Sequence, residues 1–198
     1  KVLNLKEILQ EFLKHRKDVV LKRTEFVLRK SKDRGHIVEG LMVAIANIDE
    51  IIKIIKKSKD PKVAAQELIK KKWKAGPVEA ILKKVGKDAC KPKGVAKGIG
   101  LTGKSYKLSN DQAKAILELR LGRLTGLEQD NLSSEFNSLI EKITSLQEII
   151  DDKGVLQKVI EDELNAIKET YGDERRTDIN DTRQDISNED LIPEETRV

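Results

Sequence analysis

Apolar residues at alternating steps of four and three run from residue 132 to residue 171, and no other feature restricts the fold as much. Ten of the twelve positions in this pattern are apolar, and the two polar ones, Lys153 and Gln157, lie on either side of Gly154. The pattern is typical of a coiled-coil seam, in which the first and fourth side chains of each heptad face a partner helix. The predicted seam residues are Leu132, Phe136, Leu139, Ile143, Leu146, Ile150, Ile160, Leu164 and Ile167, followed by Tyr171. A helix over residues 132–171 would be roughly 60 Å long, and it belongs to a return helix that we predict over residues 127–171. An amphipathic helix in an ordinary bundle is the alternative left open.

Seven-residue spacing also marks the beginning of the chain, where we predict an outgoing helix over residues 3–34 that Gly35 loosens. Its apolar stripe consists of Leu5, Phe12, Val19 and Phe26, with Leu13, Val20 and Val27 beside them. With 37% charged and 3% aromatic residues, the composition is typical of long helices. The predicted fold class is therefore all-α: a long antiparallel coiled-coil hairpin carrying a small globular helical domain at its tip.

The globular helical domain is predicted over residues 35–126. A buried helix follows Gly35, and short helices are expected over residues 47–57 and 78–85. Asp60-Pro61 is a start signal for another helix, since Asp favours the cap position and Pro the first turn. Trp73, the single tryptophan, is predicted to anchor the core of these helices. Residues 172–198 are predicted to be an extended acidic tail.

Residues 86–107 are rich in Lys and Gly and are predicted to form a basic surface loop. Residues 98–105, Gly-Ile-Gly-Leu-Thr-Gly-Lys-Ser, match the P-loop pattern that cradles nucleotide phosphates. That motif works between a buried strand and a helix beginning at its Lys-Ser pair. The preceding residues do not have a strand pattern, and the next helix start signal is the capping box of Ser109 with Gln112. The context therefore favours a basic loop over a P-loop enzyme.

The charges divide the chain into a basic and an acidic half. Residues 1–107 carry 28 Lys and Arg against 12 Asp and Glu, a balance of +16, and residues 108–198 carry 11 against 22, a balance of −11. A basic half can attract nucleic acid, and it can equally lie against the acidic helix. Solvated helix faces are the favoured interpretation of the basic residues on the first helix.

The remaining composition excludes several classes of site. Cys90 is the only cysteine, so an intrachain disulfide is impossible, which fits a reducing cytoplasm. No apolar run approaches the roughly 20 residues of a transmembrane helix, so we expect no membrane contact. His15 and His36 have no second ligand at metal spacing, and no metal site is predicted. The chain begins at Lys1 within a helical pattern, and we interpret it as part of a larger protein.

Leucines are too dense around residues 117–124 for one buried stripe. Such a segment is either wholly interior or meets another copy or chain, and we predict a symmetric dimer contact. The predicted contact residues are Ile116, Leu117, Leu119, Arg120, Leu121, Leu124 and Leu127.

Three stretches carry a resemblance to a known family. Residues 108–128 contain Leu-Ser, Gln-Ala, Ala-Ile-Leu-Glu-Leu-Arg-Leu and Leu-Thr-Gly-Leu-Glu in that order. Residues 36–41 read His-Ile-Val-Glu-Gly-Leu, and residues 171–177 read Tyr-Gly-Asp-Glu-Arg-Arg-Thr. Together they resemble the A subunit of bacterial DNA gyrase, a type IIA DNA topoisomerase. The related A subunit of topoisomerase IV shares much of this, but Leu-Thr-Gly-Leu-Glu favours gyrase.

The resemblance implies that this chain is the coiled-coil arm and exit-gate dimerisation region of that subunit. The implied parent enzyme is an A2B2 isomerase that supercoils DNA negatively by ATP-dependent passage of one duplex through another. The implied partners are a second copy of the chain, a transported duplex held by weak, non-specific contacts, and the gyrase B subunit. The catalytic tyrosine and the ATPase belong to other parts, so this region has no catalytic residue and no cofactor, ATP and Mg²⁺ being bound elsewhere. A free-standing basic coiled-coil nucleic-acid-binding protein is the second candidate.

Overall fold

The computed structural model describes residues 3–96, 98–119 and 126–177. Within these ranges it contains seven helices and one three-stranded sheet, so the predicted mostly helical class is confirmed. The chain divides into two compact units, Lys1–Asp162 and Glu163–Val198. The hydrophobic core lies in the first unit.

The first helix, α1, is longer than predicted, because it runs unbroken over Leu5–Ala46 for 42 residues. Asn4 caps its start: the Asn4 side-chain oxygen accepts from the Glu7 backbone N–H at 2.9 Å, and the Glu7 carboxylate accepts from the Asn4 N–H at 2.9 Å. The prediction that Gly35 loosens the helix is therefore wrong, and so is the predicted end of the outgoing helix at residue 34.

Gly35 allows another segment of the chain to approach α1 closely, and it does not mark a bend in the helix. It is buried, and a Cβ built on it would lie 3.0 Å from the Sγ atom of Cys90 and 3.6 Å from Ile143. The missing side chain therefore lets the segment around Cys90 pack directly against the helix backbone, which is a recognised use of glycine.

Another prediction that the structure corrects is the apolar stripe of α1. Leu5, Phe12 and Phe26 are 74%, 46% and 51% exposed, and Val19 is also exposed. Val20, which the prediction placed beside this stripe, is fully buried, and the buried line of the helix continues through Thr24, Leu28, Ser31 and Gly35. Small side chains on this line let the neighbouring helix come close, and the Thr24 hydroxyl is satisfied by donating to the Val20 carbonyl at 2.8 Å.

Three short helices follow where the sequence predicts them: α2 over Ile48–Lys57, α3 over Pro61–Lys70 and α4 over Val78–Val85. The fifth helix, α5, covers Asn110–Leu117 and begins at the predicted capping box of Ser109 with Gln112. Of these four starts, that of α5 has the hydrogen bonds of a capping box and that of α3 has Pro61 in its first turn, whereas Asn47, Asp60 and Pro77 make no side-chain cap hydrogen bond.

A small antiparallel sheet, which the sequence analysis missed, joins the short helices. Its strands are β1 (Lys72–Lys74), β2 (Gly100–Thr102) and β3 (Ser105–Lys107), in the order β1-β3-β2. The middle residues of the three strands, Trp73, Tyr106 and Leu101, are paired across the sheet and buried. Trp73 is 2% exposed and its Nε1 donates to the Leu68 carbonyl at 2.9 Å, so its predicted role as a core anchor is confirmed.

The prediction that residues 86–107 form a loop throughout is therefore wrong over the two strands. The segment that matches the P-loop pattern is a β-hairpin, in which Gly103 has a positive φ of 64° at the turn and Ser105 begins β3. A P-loop requires a helix at this Ser, because the helix N-terminus supplies part of the phosphate cradle. The geometry of the hairpin is incompatible with that arrangement.

The return helix consists of α6 (Gly126–Asp151) and α7 (Lys153–Tyr171), which are interrupted at Asp152. The Asp152 carboxylate accepts from the Gly154 backbone N–H at 2.7 Å, so it caps the second helix. The prediction of one uninterrupted helix is wrong at this residue, whereas the predicted end before Gly172 is confirmed.

Most of the predicted seam positions turn inward. Leu132, Phe136, Ile143 and Ile160 are buried, Leu139, Leu146, Ile150 and Leu164 are half-buried, and Ile167 is 50% exposed. Ile140 and Leu156 are also buried, although the heptad pattern did not include them. Their burial shows that the inward face drifts from strict heptad spacing, since a straight helix has 3.6 residues per turn.

Helices α1 and α6 pack in opposite directions. Arg34 forms two hydrogen bonds with the Glu135 carboxylate, at 2.7 and 3.1 Å. Lys32, which precedes Arg34 on α1, reaches Gln147 on α6, with 3.5 Å between the Lys32 Nζ and the Gln147 Oε1 atoms. The earlier residue on α1 therefore contacts the later residue on α6. This order shows that the two helices are antiparallel over this region.

A second glycine of α1, Gly40, faces α5. A Cβ built on Gly40 would lie 2.6 Å from Cγ and 2.8 Å from Cδ of Gln112, whose side chain is fully buried. Distances this short are not tolerated by non-bonded carbon atoms, so only glycine fits here.

We expect Gly40→Ala to lower the free energy of unfolding by roughly 2–3 kcal/mol, because the added methyl group overpacks against Gln112. Urea unfolding followed by circular dichroism measures the change. The matched control is Gly154→Ala on the exposed start of α7, which we expect to be neutral or stabilising by up to about 1 kcal/mol. Equal effects at the two sites would contradict the packing described for Gly40.

Candidate functional site

Five buried polar side chains meet where α1 passes β3 and α5. They are His36 and Glu39 of α1, Tyr106 of β3, and Ser109 and Gln112 at the start of α5, and none is more than 4% exposed. We call these five residues the junction cluster. A buried polar group without a partner costs free energy, so the hydrogen bonds of the cluster decide how α1 and α5 fit together.

Gln112 is the centre of the junction cluster. Its side-chain Nε2 donates to the His36 carbonyl at 2.7 Å and to the Tyr106 hydroxyl at 2.8 Å. Its Oε1 accepts from the Ser109 backbone N–H at 2.9 Å. One amide thus connects the helix, the sheet and the cap of α5, and Gly40 leaves the space for it.

The His36 ring contacts Ser109 through Nε2 at 2.9 Å and lies 3.3 Å from the Gln112 Nε2 through Nδ1. Burial lowers the pKa of His36, while Asp111 and Asp33 act in the opposite direction. The uncharged imidazole is the form that the fold favours.

Glu39 is the one acidic member of the junction cluster. Burial raises its pKa to about 7, an effect that the nearby Asp88 reinforces and that a hydrogen bond from the Tyr106 hydroxyl opposes. The pKa of Tyr106 is in turn raised by burial and by the neighbouring Glu39 carboxylate. The two groups therefore do not ionise together, and the tyrosine stays protonated when the carboxyl group loses its proton.

The junction cluster has the features of a structural joint, because its hydrogen bonds connect α1, β3 and the start of α5. Among residues 3–96, 98–119 and 126–177 no three His, Cys, Asp or Glu side chains are placed to hold a metal ion. Cys90, next to the cluster, is fully buried, and burial raises the pKa of its thiol to about 12, so the nucleophilic thiolate is disfavoured. Sequence reasoning did not identify the cluster, although the capping box of Ser109 with Gln112 was a signal for two of its members.

The predicted dimer-contact residues fall into three groups. Ile116 is 4% exposed and belongs to the core of a single chain, whereas Leu117 and Leu119 are half-buried. The residues Arg120, Leu121 and Leu124 lie outside the described residues, as does the side chain of Leu127. Leu117 lines a groove of about 450 Å³ between α3 and α5, together with Ala65 and Ile69. No sequence pattern indicated that α3 borders this surface, and the dimer contact stays a prediction.

Comparison with known proteins identifies the class of protein to which this architecture belongs. Residues 1–165 match the family model of the A subunit of DNA gyrase/topoisomerase IV. The chain belongs to this family, as the resemblance of residues 36–41, 108–128 and 171–177 implied.

Individual relatives carry the name of the DNA gyrase A subunit. The chain is 46% identical to that of Pseudomonas aeruginosa, 47% identical to that of Aeromonas salmonicida and 44% identical to that of Neisseria gonorrhoeae. Each comparison covers 100% of this chain but 22% of the relative. The chain therefore corresponds to about a fifth of those proteins.

No helix within the described ranges combines the length and the apolar character that crossing a membrane requires.

We expect Glu39→Gln to change how stability depends on pH. The raised pKa means that the wild-type carboxyl group stabilises the fold fully below about pH 4.5 and loses this effect as the pH rises through about 7. By linkage, ionisation costs roughly 3 kcal/mol at high pH, so the variant should gain most relative to wild type at pH 8 and least at pH 4.5. Thermal unfolding between pH 4.5 and pH 8 measures the difference.

The control for this pH series is Glu141→Gln, which replaces an exposed glutamate of α6. His36 contributes with the opposite sign, because its lowered pKa removes stability as the pH falls below about 6.5. In the Glu39→Gln variant this histidine effect remains, so stability should rise with pH through that range. A pH profile parallel to wild type would contradict the burial of an ionisable Glu39.

Proposed function

We propose that this chain is the exit gate of a DNA gyrase A subunit, in which an antiparallel helical arm carries a small domain that closes against its twin. Three observations support the proposal. The chain belongs to the A-subunit family, α1 and α6 pack antiparallel, and the small domain between them displays half-buried leucines at the end of α5. The antiparallel pair of helices is the single observation that carries the proposal. Such a pair acts as a spacer, which holds the small domain at one end away from the parts of the protein that are attached at the other end.

The proposed mechanism uses the arm as a stiff lever and the tip as a reversible dimer contact. α1 continues from the arm into the small domain as one helix, so force applied at the arm reaches the tip without a joint between them. A twofold contact is isologous, which means that both protomers contribute the same residues. Each apolar residue is therefore buried twice in the contact, and a few leucines can hold two protomers together. The contact must remain weak enough to open once for each transported duplex.

In the whole enzyme, this region would support ATP-dependent negative supercoiling together with the B subunit. We propose that the chain itself supplies neither the DNA-cleaving tyrosine nor a nucleotide site, and that ATP and Mg²⁺ bind elsewhere in the complex. The hairpin geometry of residues 98–105 supports the second point. The burial of Tyr106, whose pKa is raised, also argues against a role for this residue as a nucleophile. We place the enzyme in the cytoplasm, in agreement with a single free cysteine.

We expect the 198-residue chain to sediment as a dimer at tens of micromolar, and Leu119→Glu with Leu124→Glu to weaken the dimer at least tenfold. Burying two carboxylates in each copy of an apolar contact costs well over the roughly 1.4 kcal/mol that corresponds to a tenfold change. Sedimentation equilibrium measures the dissociation constant.

The matched control is Val85→Glu, which adds the same charged side chain at an exposed apolar position at the end of α4. It should leave the dissociation constant unchanged. A wild-type chain that remains monomeric at these concentrations would overturn the gate proposal. A dimer whose dissociation constant is unchanged by the two leucine substitutions would show that other residues form the contact.

A further inference from the structure

The junction cluster places an acid at the point where α1 touches the start of α5. Glu39 is 4% exposed, and the next residue of α1 is Gly40, whose missing side chain leaves the space for Gln112. The acid and the closest contact between the two helices are therefore consecutive residues. A change in the space or the hydration that Glu39 requires acts directly on the packing of α5.

A short chain of hydrogen bonds connects Glu39 to α5. The Tyr106 hydroxyl hydrogen-bonds the Glu39 carboxyl group, and it accepts from the Gln112 Nε2 at 2.8 Å. The same nitrogen donates to the His36 carbonyl at 2.7 Å, and the Gln112 Oε1 accepts from the Ser109 backbone N–H at 2.9 Å. Both amide hydrogens of Gln112 are engaged, so Tyr106 is the side chain through which Glu39 and α5 interact.

An ionised Glu39 is poorly accommodated by these contacts. A carboxylate has lone pairs for about four hydrogen bonds, and the Tyr106 phenol has a single hydrogen to donate. The negative charge of Asp88, in the segment after α4, repels the carboxylate further. A buried charge with unsatisfied lone pairs is stabilised when water reaches it. A slight separation of α5 and β3 from α1 would admit that water.

Glu39 is the member of the junction cluster whose charge changes near neutral pH, because burial raises its pKa to about 7. Burial also raises the pKa of Tyr106 and of the neighbouring Cys90, and it lowers the pKa of His36, one turn earlier on α1. Further charges act on these groups from α1, from the segment after α4 and from α5: Lys32, Asp33, Asp88, Lys91 and Asp111. In the described part of the chain, none of the groups that shift the pKa of Glu39 belongs to α6.

The path from Glu39 to the predicted dimer contact is short. Gln112 is buried near the start of α5, and Leu117 ends the same helix, roughly 8 Å further along its axis. The buried residues of this eight-residue helix are Gln112, Ala113 and Ile116. A helix held by so few side chains depends on each of them, and a shift at its start also moves its end.

We propose that Glu39 is a proton-dependent positioning residue of the proposed gate. With the carboxyl group protonated, the junction cluster stays intact and α5 is held against α1, so that Leu117 and Leu119 keep the position in which they meet the second copy. Loss of the proton loosens the junction cluster and weakens the dimer contact. This inference rests on the proposed function and deepens it, because it names the proton as a regulator of that contact.

The direction of the pH dependence follows from proton linkage. In the intact junction cluster the pKa of Glu39 is about 7, and in a loosened, hydrated cluster it returns toward the ordinary value of 4.5. The intact form therefore holds the proton more tightly, and it loses this advantage as the pH rises through about 7. Because the dimer requires the intact form, the dimer tightens as the pH falls.

The test is sedimentation equilibrium of the 198-residue chain between about pH 6 and pH 8 at constant ionic strength. We expect the dissociation constant of the wild-type dimer to rise about tenfold or more over this range, since each of the two Glu39 residues needs to contribute only about threefold. Glu39→Gln retains the shape of the neutral acid. It should keep the dissociation constant of the low-pH wild type throughout, within about twofold.

Two further variants move the midpoint of the pH dependence in opposite directions. The Asp88 side chain is 79% exposed, and Asp88→Asn removes a charge that raises the pKa of Glu39, so the midpoint should shift to lower pH. Tyr106→Phe removes the hydrogen bond that lowers this pKa, so the midpoint should shift to higher pH. A cluster with a merely structural role would not produce opposite shifts. Asp88→Asn also tests the inference without altering a buried residue.

The matched control is Glu141→Gln, which removes an exposed carboxylate of α6 and should retain the pH dependence of the wild type. A wild-type dimer whose dissociation constant is the same at about pH 6 and pH 8, or changes equally in Glu39→Gln, would contradict the inference and leave the gate in place. A chain that is monomeric at every pH would overturn the gate itself, and the inference with it.

Discussion

Two glycines on one uninterrupted helix set the distances on which the remaining structure depends. Gly35 lets Cys90 pack against the backbone of α1, and Gly40 makes room for the buried amide of Gln112. Because neither position has a side chain, the segment between α4 and β2 and the start of α5 both lie directly on α1. The arm and the small domain therefore share a helix and a core instead of being joined by a linker.

This shared helix connects the proposed functions of the chain. The junction cluster lies on its inner face, with a neutral His36 and a Glu39 whose pKa is raised to about 7, and it fixes α5 relative to α1. α5 leads to the leucine-dense segment of the proposed dimer contact. A partner at the tip would therefore act on α1 through α5 and the junction cluster.

Local signals made much of the fold predictable, and contacts distant in sequence explain the errors. The starts of α3, α4 and α5 follow from Pro, Gly and a capping box, which act within a few residues. The sheet was missed because its strands are three residues long and β1 pairs with a strand more than 30 residues later. The interpretation of Gly35 failed because the reason for it, Cys90, lies 55 residues away. Of the sites, the junction cluster depends on the same kind of distant contact, so only its capping box was visible.

Hydrogen exchange of the α1 amides at single-residue resolution is the most direct test of a rigid arm that continues into the small domain. If the helix is continuous and both glycines are packed, amides from Ser31 to Ala44 exchange as one block, with protection close to the global free energy of unfolding. Fast exchange confined to residues 35–40, between protected flanks, would show instead that the helix opens at the glycines and that the arm and the small domain move separately.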